Sequence, residues 1–286
     1  MNIDNLHEEE INLIDYWRVI WKRKALIVIV ILISTISTAV KSLYMENIYQ
    51  AQAVITPVGK KSGGGGLSSL MQQLGGLPGI ALPGSASATE LVNLLNSKLL
   101  KKKIIEKNNL LPVFFHEQWD EEKKGWKEDR NGHPTMWDGL RALEGMASVQ
   151  NNAQDSTITI SVDYYDPEVS AQIVDYFLTA LNEHMSGETR RVAESNKEYL
   201  EEQLKNTSDP LIKRNIYNLI AKQIETAMMS GVKENFAFKV IDPPMVSDRK
   251  IRPKRLQMVM MSFFASLFAG VFLAFFVEYV VKVKKE

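Results

Sequence analysis

Two long apolar stretches, one toward each end, dominate the hydrophobic pattern of this 286-residue chain. Residues 25–40 carry no charge, and Lys41 can extend its ammonium group toward the membrane interface. Residues 256–277 are free of charge throughout. Each stretch is about as long as a helix needs to cross ~30 Å of hydrocarbon, and each is apolar on every face. The sequence therefore predicts two transmembrane helices, over residues 25–45 and 256–278.

Basic residues around these stretches set the predicted orientation. Four of them precede the first stretch: Arg18, Lys22, Arg23 and Lys24. Because lysine and arginine are retained on the cytoplasmic side, residues 1–24 are predicted to be cytoplasmic. The basic cluster at 249–255 argues the other way, but a long intervening domain crosses the membrane largely regardless of its charge. We therefore expect residues 46–255 outside the cytoplasm and a short cytoplasmic tail at 279–286.

The first apolar stretch has a second interpretation. Its basic flank and the small residues Ser37-Thr38-Ala39 also fit a cleavable signal peptide. The segment before the stretch is long for a signal peptide, however, and the stretch exceeds the usual apolar length. An uncleaved anchor is therefore favoured.

Between the apolar stretches, the pattern changes to short elements of both kinds. Period-two alternation predicts strands and a spacing of three to four predicts helices. The predicted strands cover residues 49–55, 157–162 and 236–243, and the predicted short helices cover residues 89–108 and 136–146. The Gly-, Ser- and Pro-rich segment 59–88 is predicted to be a flexible loop, and residues 111–132 to be irregular.

A long helical hairpin is predicted over residues 167–231. Asp166-Pro167-Glu168 is a helix start, since Asp caps and Pro suits the first helical position, and about forty residues follow before Asn206. Ser208-Asp209-Pro210 starts the returning helix. Its predicted apolar stripe consists of Ile212, Ile216, Leu219, Ile220 and Met228. The fold class predicted is an α+β domain, with a small membrane-proximal sheet and a long helical hairpin arm, between two transmembrane helices.

Composition excludes several kinds of chemistry. The 34 basic residues balance the 34 acidic ones, so there is no electrostatic argument for nucleic acid as a partner. The chain has no cysteine, and its four histidines are not placed at metal-ligand spacing. Gly59-Lys60-Lys61-Ser62 lacks the spacing of a phosphate-binding loop. The sequence therefore predicts no catalytic residue, no cofactor and no metal ligand.

One segment combines tryptophans with carboxylates, as a sugar-binding or glycoside-hydrolysing surface would. Its tryptophans and acids are Trp119, Trp126, Trp137, Glu117, Asp120, Glu121 and Glu122. The alternative is that the rings fill the core of the domain while the acids face water. A glycan hydrolase and direct contact with sugar are both left open as minor hypotheses.

Small residues recur every four positions in the second apolar stretch. They form two rows: Ser262, Ser266 and Gly270 in one, and Ala265 and Ala269 in the other. In lipid, small residues at this spacing allow helices to approach closely. All five are candidates for packing against a neighbouring helix, and the alternative is that they are the ordinary small-residue content of such a stretch.

The order of these features resembles the Wzz-type chain-length determinants, also called polysaccharide co-polymerases. The resemblance is most specific in the approach to the second span, Ile241-Asp242-Pro243-Pro244 and then Arg252-Pro253-Lys254-Arg255, and in the small residues that follow. Pro243, Pro244, Pro253, Lys254 and Arg255 are accordingly predicted to form a membrane-proximal structural motif. Ser247 and Asp248 stand where the family often has a further proline.

The resemblance implies a non-catalytic scaffold of the bacterial inner membrane, with the main domain in the periplasm. Such proteins assemble as homo-oligomeric rings and set the modal length of O-antigen, capsule or exopolysaccharide. Their implied partners are a membrane polysaccharide polymerase, the lipid bilayer and the nascent lipid-linked polysaccharide. The small residues of the second span would then face a neighbouring copy or the polymerase. A polysaccharide-export component and a purely structural membrane tether are the alternatives.

Overall fold

The computed structural model describes residues 13–58, 87–127, 132–232 and 237–283. Two compact units are formed. The helical-pair unit comprises the described residues within 1–48 and 250–286, and the mixed unit comprises those within 49–249.

Helices and short strands alternate along the described residues. The helices are α1 (Leu13–Lys22), α2 (Lys24–Tyr44), α3 (Ala88–Asn96), α4 (Lys98–Lys107), α5 (Leu111–Phe114), α6 (Met136–Met146), α7 (Pro167–Asn206), α8 (Pro210–Val232) and α9 (Arg255–Val283). The strands are β1 (Ile48–Pro57), β2 (Trp119–Asp120), β3 (Gly125–Trp126), β4 (Ala147–Asn152), β5 (Thr157–Tyr164), β6 (Phe238–Asp242) and β7 (Lys250–Arg252). The predicted combination of helices and a sheet is confirmed.

In the helical-pair unit, α2 and α9 are long and apolar enough to cross a membrane. In the most apolar 18-residue segment of each helix, only 11% of the residues of α2 and 17% of those of α9 are buried. A core helix of a water-soluble protein would be mostly buried, so these exposed apolar surfaces favour a lipid environment. Their position in a membrane and the orientation of the termini remain predictions.

The mixed unit is built on an antiparallel sheet with strand order β4-β5-β1-β6. Strand β1 occupies the middle of this order, where Ala53 pairs with Ile160 of β5 and Thr56 pairs with Lys239 of β6. Alternate residues of β1 and β5 are fully buried, which explains the period-two pattern of the sequence. The fourth strand, β4, was not predicted, and its pairing with β5 includes Val149 opposite Ile160.

The core of the mixed unit lies between this sheet and the first half of α7. Ile173, Phe177 and Leu181 of α7 are fully buried, together with Leu91 and Leu95 of α3. Burial of side chains of this size stabilises the fold by about 1.5–3 kcal/mol each. The first half of α7 is therefore fixed to the sheet.

The predicted helix over residues 89–108 is wrong in one respect, because two helices meet there. Ser97 has an extended backbone (φ −67°, ψ 141°), and its side chain accepts a hydrogen bond from the Leu100 N–H. Ser87 caps α3 in the same way by accepting from the Glu90 N–H. The predicted loop 59–88 lies outside the described residues except for Ser87 and Ala88, which cap and begin α3.

The long hairpin consists of α7 and α8. Asp166 caps α7 by accepting hydrogen bonds from the backbone N–H groups of Glu168 and Val169, and Pro167 occupies the first turn. Forty residues without a break give α7 a length of about 60 Å. The sequence pattern thus located both helix starts, at Pro167 and Pro210.

Candidate functional site

The contact between α2 and α9 contains a small polar cluster in an otherwise apolar interface. The Thr38 hydroxyl donates to Ser262 Oγ at 2.9 Å, and Ser34 Oγ lies 3.1 Å from the same oxygen. Hydroxyl groups of this kind satisfy one another between helices in a hydrocarbon environment. Ser262, which the sequence identified, thus contacts two residues of the chain's own first apolar helix.

Gly270 lies on the same face of α9. A Cβ atom at this position would lie 3.3 Å from Ile27 Cγ2 and 3.4 Å from Ile27 Cα. Ser266 and Ala274 are also buried, which continues the spacing of four residues that begins at Ser262. This row of small residues permits close packing of α9 against α2.

The second predicted row behaves differently. Ala265 and Ala269 are exposed in the structure, on another side of α9. Ala265 lines an open cleft of about 410 Å³, together with Thr38, Met261 and Lys254. Contacts of the five small residues with a neighbouring copy or a polymerase remain a prediction.

Charged groups connect the two helices of the helical-pair unit near one end. Glu278 of α9 accepts a hydrogen bond from Arg23 Nε at 3.1 Å, and it also pairs with Lys22. Because the two basic residues belong to α1 and its junction with α2, this carboxylate joins three helical segments. Neither partner of Glu278 was foreseen, since the residues are more than 250 positions apart.

The other end of the helical-pair unit holds part of the predicted proline motif. Asn47 Oδ1 accepts hydrogen bonds from Lys250 Nζ at 3.0 Å and from Arg255 at 3.4 Å. Pro253 is buried and Lys254 is exposed.

The remaining two residues of the predicted motif, Pro243 and Pro244, belong to the mixed unit. They follow directly after β6 (Phe238–Asp242), with Pro243 exposed and Pro244 half-buried.

The hairpin of α7 and α8 has its own small core. Leu200 of α7 packs with Ile216 and Leu219 of α8, and all three are buried. Farther along the same contact, Asn196 Nδ2 donates to Gln223 Oε1 at 3.4 Å. A buried polar pair of this kind favours one register between two helices.

The outer face of α8 carries apolar residues that the sequence pattern assigned differently. Tyr217, Ile224 and Met228 are 59%, 43% and 65% exposed, and Ala221 lies between them. Met228 was predicted to lie on the same apolar stripe as Ile216. In the structure Ile216 packs against α7 while Met228 is exposed, because the predicted stripe is wider than the face that contacts α7. These four residues, which we call the outer stripe, follow the alternating spacing of four and three that is typical of helix–helix contacts.

The tryptophan-acid segment forms a small structural hairpin of β2 and β3. The rings of Trp119 and Trp126 pack edge to face, with centroids 5.0 Å apart. Asp120 Oδ1 accepts hydrogen bonds from the backbone N–H groups of Glu122 and Lys123. These contacts indicate that Trp119, Trp126 and Asp120 stabilise the turn between β2 and β3.

Trp137 lies apart from that hairpin, on α6. Its side chain is 59% exposed, and the Lys98 ammonium of α4 lies 5.3 Å from the ring centroid. The start of α6 is fixed by a capping box, in which Thr135 and Asp138 exchange hydrogen bonds. These bonds and Arg141 lower the pKa of Asp138 to about 2, so the cap stays charged in mildly acidic solution, where an ordinary aspartate begins to be protonated.

Ion pairs fasten α4 to α7 in the mixed unit. Lys103 lies 3.4 Å from Glu183, and Lys107 pairs with the same carboxylate. The hydrogen bond from Lys107 is the main cause that lowers the pKa of Glu183. Among the described residues, no three His, Asp or Glu side chains form a group that could hold a metal ion.

Comparison with known proteins adds the following. Residues 9–108 match the model of Wzz, the chain length determinant protein family. No curated protein matches the chain. A full-length bacterial polysaccharide co-polymerase aligns with 95% of this chain and 99% of its own, at 11% identity and a TM-score of 0.44. A fragment of WzzB, a polysaccharide co-polymerase from Salmonella Typhimurium, aligns with 72% of this chain and all of its own, at 8% identity and a TM-score of 0.34. The match over residues 9–108 confirms that the chain resembles the Wzz chain-length determinants, as its sequence predicted.

Proposed function

We propose that this protein regulates the modal chain length of a surface polysaccharide as a non-catalytic scaffold acting with a membrane polymerase. The observation that carries the proposal is the match to the chain-length determinant family, which includes α2, β1 and the two helices that follow. The polysaccharide is an O-antigen, a capsule or an exopolysaccharide. No cofactor has a part in this role.

The proposed placement is a two-pass protein of the bacterial inner membrane. Both termini are cytoplasmic, and the mixed unit is periplasmic. Two observations support it: the apolar, mostly exposed surfaces of α2 and α9, and the basic residues Arg18 to Lys24 before the first of them.

A second copy of the same chain is the partner proposed for the hairpin. The outer stripe of Tyr217, Ala221, Ile224 and Met228 leaves an apolar seam in contact with water on α8. A seam with this spacing packs well against another helix. Repeated heterologous contacts between identical arms give a ring when the rotation from one copy to the next closes, which is the assembly proposed here.

Within the membrane, a polymerase or a neighbouring copy is the proposed partner of α9. Ala265 and Ala269 support this best, because they are small and exposed, whereas Gly270 already packs against Ile27. The proposed contact therefore uses the side of α9 that α2 leaves open.

The test of the proposed function is the length distribution of surface polysaccharide, resolved on a gel, in a deletion strain and its complement. Loss of a defined band cluster on deletion, restored by the complement, is expected. Loss of all surface polymer with retained lipid-linked precursor would instead indicate an export component. An unchanged ladder would contradict both.

The test of the proposed assembly is a charge within the outer stripe. Replacing Ile224 with lysine is expected to shift the detergent-solubilised protein toward smaller species, measured by light scattering after size exclusion, because the charge would lie in the apolar seam. Asn218→Lys is the matched control, since Asn218 is exposed on the same helix but outside the stripe. Equal masses for the two variants would contradict the proposed seam.

A further inference from the structure

A cleft between α4 and α6 stands on the surface of the mixed unit, away from the outer stripe. It has a volume of about 450 Å³ and is lined by Lys98, Leu99, Lys102, Glu106, Met136 and Trp137. Small-molecule sites usually measure ~300–1,000 Å³ and combine an apolar wall with a few polar groups. The cleft has both properties, because its lining combines Leu99, Met136 and Trp137 with the charged side chains of Lys98, Lys102 and Glu106.

Trp137 is the largest apolar group of the cleft, and the fold does not bury it. Trp119 and Trp126 pack against each other, whereas Trp137 leaves more than half of its surface exposed. Its neighbour Leu99 is exposed to a similar degree. A flat aromatic ring in this position offers a surface on which the C–H face of a sugar ring can stack.

The charge of the cleft is supplied by α4, five of whose ten residues are lysines. Four of them form ion pairs: Lys101 with Glu144, Lys102 with Glu106, and both Lys103 and Lys107 with Glu183. Among the described residues, no carboxylate forms an ion pair with Lys98, which instead lies over the Trp137 ring. The pair of Lys102 with Glu106 is exposed and 3.5 Å long, and such pairs contribute little to stability. Lys98 and Lys102 are therefore available to a negatively charged ligand.

We propose that this cleft binds an acidic sugar residue of the polysaccharide. The sugar ring stacks on Trp137, and its carboxylate accepts hydrogen bonds from Lys98 and Lys102. Charge complementarity selects an acidic sugar over a neutral one, because a hydrogen bond between an ammonium and a carboxylate is roughly twice as strong as a neutral one. The site rests on the proposed function, which brings a growing glycan to the mixed unit.

The test uses the full-length protein in lipid nanodiscs and two defined probes. Hexagalacturonic acid is the acidic probe, maltohexaose is the neutral control, and calorimetry measures both affinities. Trp137→Ala, and Lys98→Gln combined with Lys102→Gln, are each expected to weaken binding of hexagalacturonic acid on the order of tenfold. Lys222→Gln is the matched control, because Lys222 is also an exposed lysine in a short-range ion pair, with Glu225 on α8. This control is expected to bind as the unmodified protein does.

Three results would overturn the proposal. The first is equal affinity for both probes, or no binding of the acidic one by the unmodified protein. The second is equal weakening by the Lys222 control. The third is that brominated lipid quenches the unmodified protein more than Trp137→Phe, since the ring would then lie in the membrane and not in a glycan site.

Failure of the site and failure of the proposed function give different results. If deletion alters the polysaccharide ladder while the Trp137 and lysine variants bind normally, the site is wrong and the function stands. If deletion leaves the ladder unchanged, the function is wrong whatever the probes show.

Discussion

The protein has two antiparallel helix pairs, α2 with α9 and α7 with α8, which differ in where their apolar residues lie. The apolar residues face outward in the first pair and toward the partner helix in the second. In the first pair, the contact face holds small residues and one hydroxyl cluster, at Thr38 and Ser262, while the outer surface is apolar. In the second pair, the contact face is apolar around Leu200, while much of the outer surface is charged. In the proposed membrane position, lipid would provide no hydrophobic drive between α2 and α9, so close packing and hydrogen bonds would hold this pair. Water provides that drive for the second pair.

The outer stripe of α8 is an exception to the expected placement of apolar residues in a helix pair exposed to water. A helix pair in water should place its apolar residues inside, yet Tyr217 and Met228 are largely exposed. Contiguous apolar surface of this kind indicates an interaction site. Helix α8 thus has one apolar face that packs on α7 and a second that is exposed, which is the face proposed to contact another copy of the chain.

The largest effect is expected from removing the apolar contact of the hairpin. Leu200→Ala should lower the free energy of opening the hairpin by about 2–5 kcal/mol, because a fully buried leucine leaves a cavity. Hydrogen exchange of the α8 amides measures this opening. Leu211→Ala is the control, since Leu211 is an exposed leucine of the other helix of the hairpin, α8. Equal exchange in the two variants would show that apolar burial does not hold the pair.

The corresponding change in the apolar pair adds bulk where small residues are needed. Gly270→Leu should destabilise the contact of α2 with α9 by about 1–3 kcal/mol, because even a Cβ atom at this position would lie 3.3 Å from Ile27 Cγ2. The chain has no cysteine, so a disulfide between Ser34→Cys and Ser262→Cys can report the contact. The disulfide should form in the parent and decline with Gly270→Leu.

Ala269→Leu is the control for that experiment, because Ala269 is exposed. It should leave formation of the disulfide unchanged. A decline in both variants would mean that packing on every side of α9, rather than the contact with α2, is being measured.

A smaller effect, of opposite sign, is expected at Gly187 in the long helix. Gly187→Ala should stabilise α7 by about 0.5–1 kcal/mol, because a Cβ atom there meets no other atom within 4 Å. Gly139→Ala provides the contrast, since its Cβ would lie 2.6 Å from Leu111 Cδ2. The midpoint temperature of thermal unfolding should therefore rise for Gly187→Ala and fall for Gly139→Ala.

The smallest effect is expected from one hydroxyl. Ser262→Ala should destabilise the apolar pair by roughly 0.6 kcal/mol, the average for a hydrogen bond between helices in lipid. Ser266→Ala is matched to it, because the Ser266 hydroxyl donates to Phe263 O in its own helix. Unfolding in detergent should distinguish the two, and an equal loss would argue against Ser262 as a bridge between helices.

Features that depend on a single segment were readable from the sequence. The apolar stretch predicted over 25–45 became α2 at Lys24–Tyr44, because absence of charge over one helix length is a local property. The starts of α7 and α8 were readable for the same reason, since a cap and a proline act within one turn.

Features that depend on a partner were not readable. Strand β4 (Ala147–Asn152) has mostly small and polar residues, and its pairing with β5 defines it as a strand. The break at Ser97 interrupts a stretch whose helical spacing continues on both sides. The sequence identified Gly270 as a packing residue but gave no indication that Ile27 would be opposite, because spacing along one helix does not name the other.

Because α7 is long and unbroken, a change of its direction at one end moves the other end. Its first half is held in the core of the mixed unit, and Glu183 connects it to two lysines of α4. From Glu183 to Asn206 the helix extends a further ~35 Å, so a tilt of about 10° at the held end displaces the far end by about 6 Å. A small tilt at the held end would thereby become a displacement of about one helical turn at the far end.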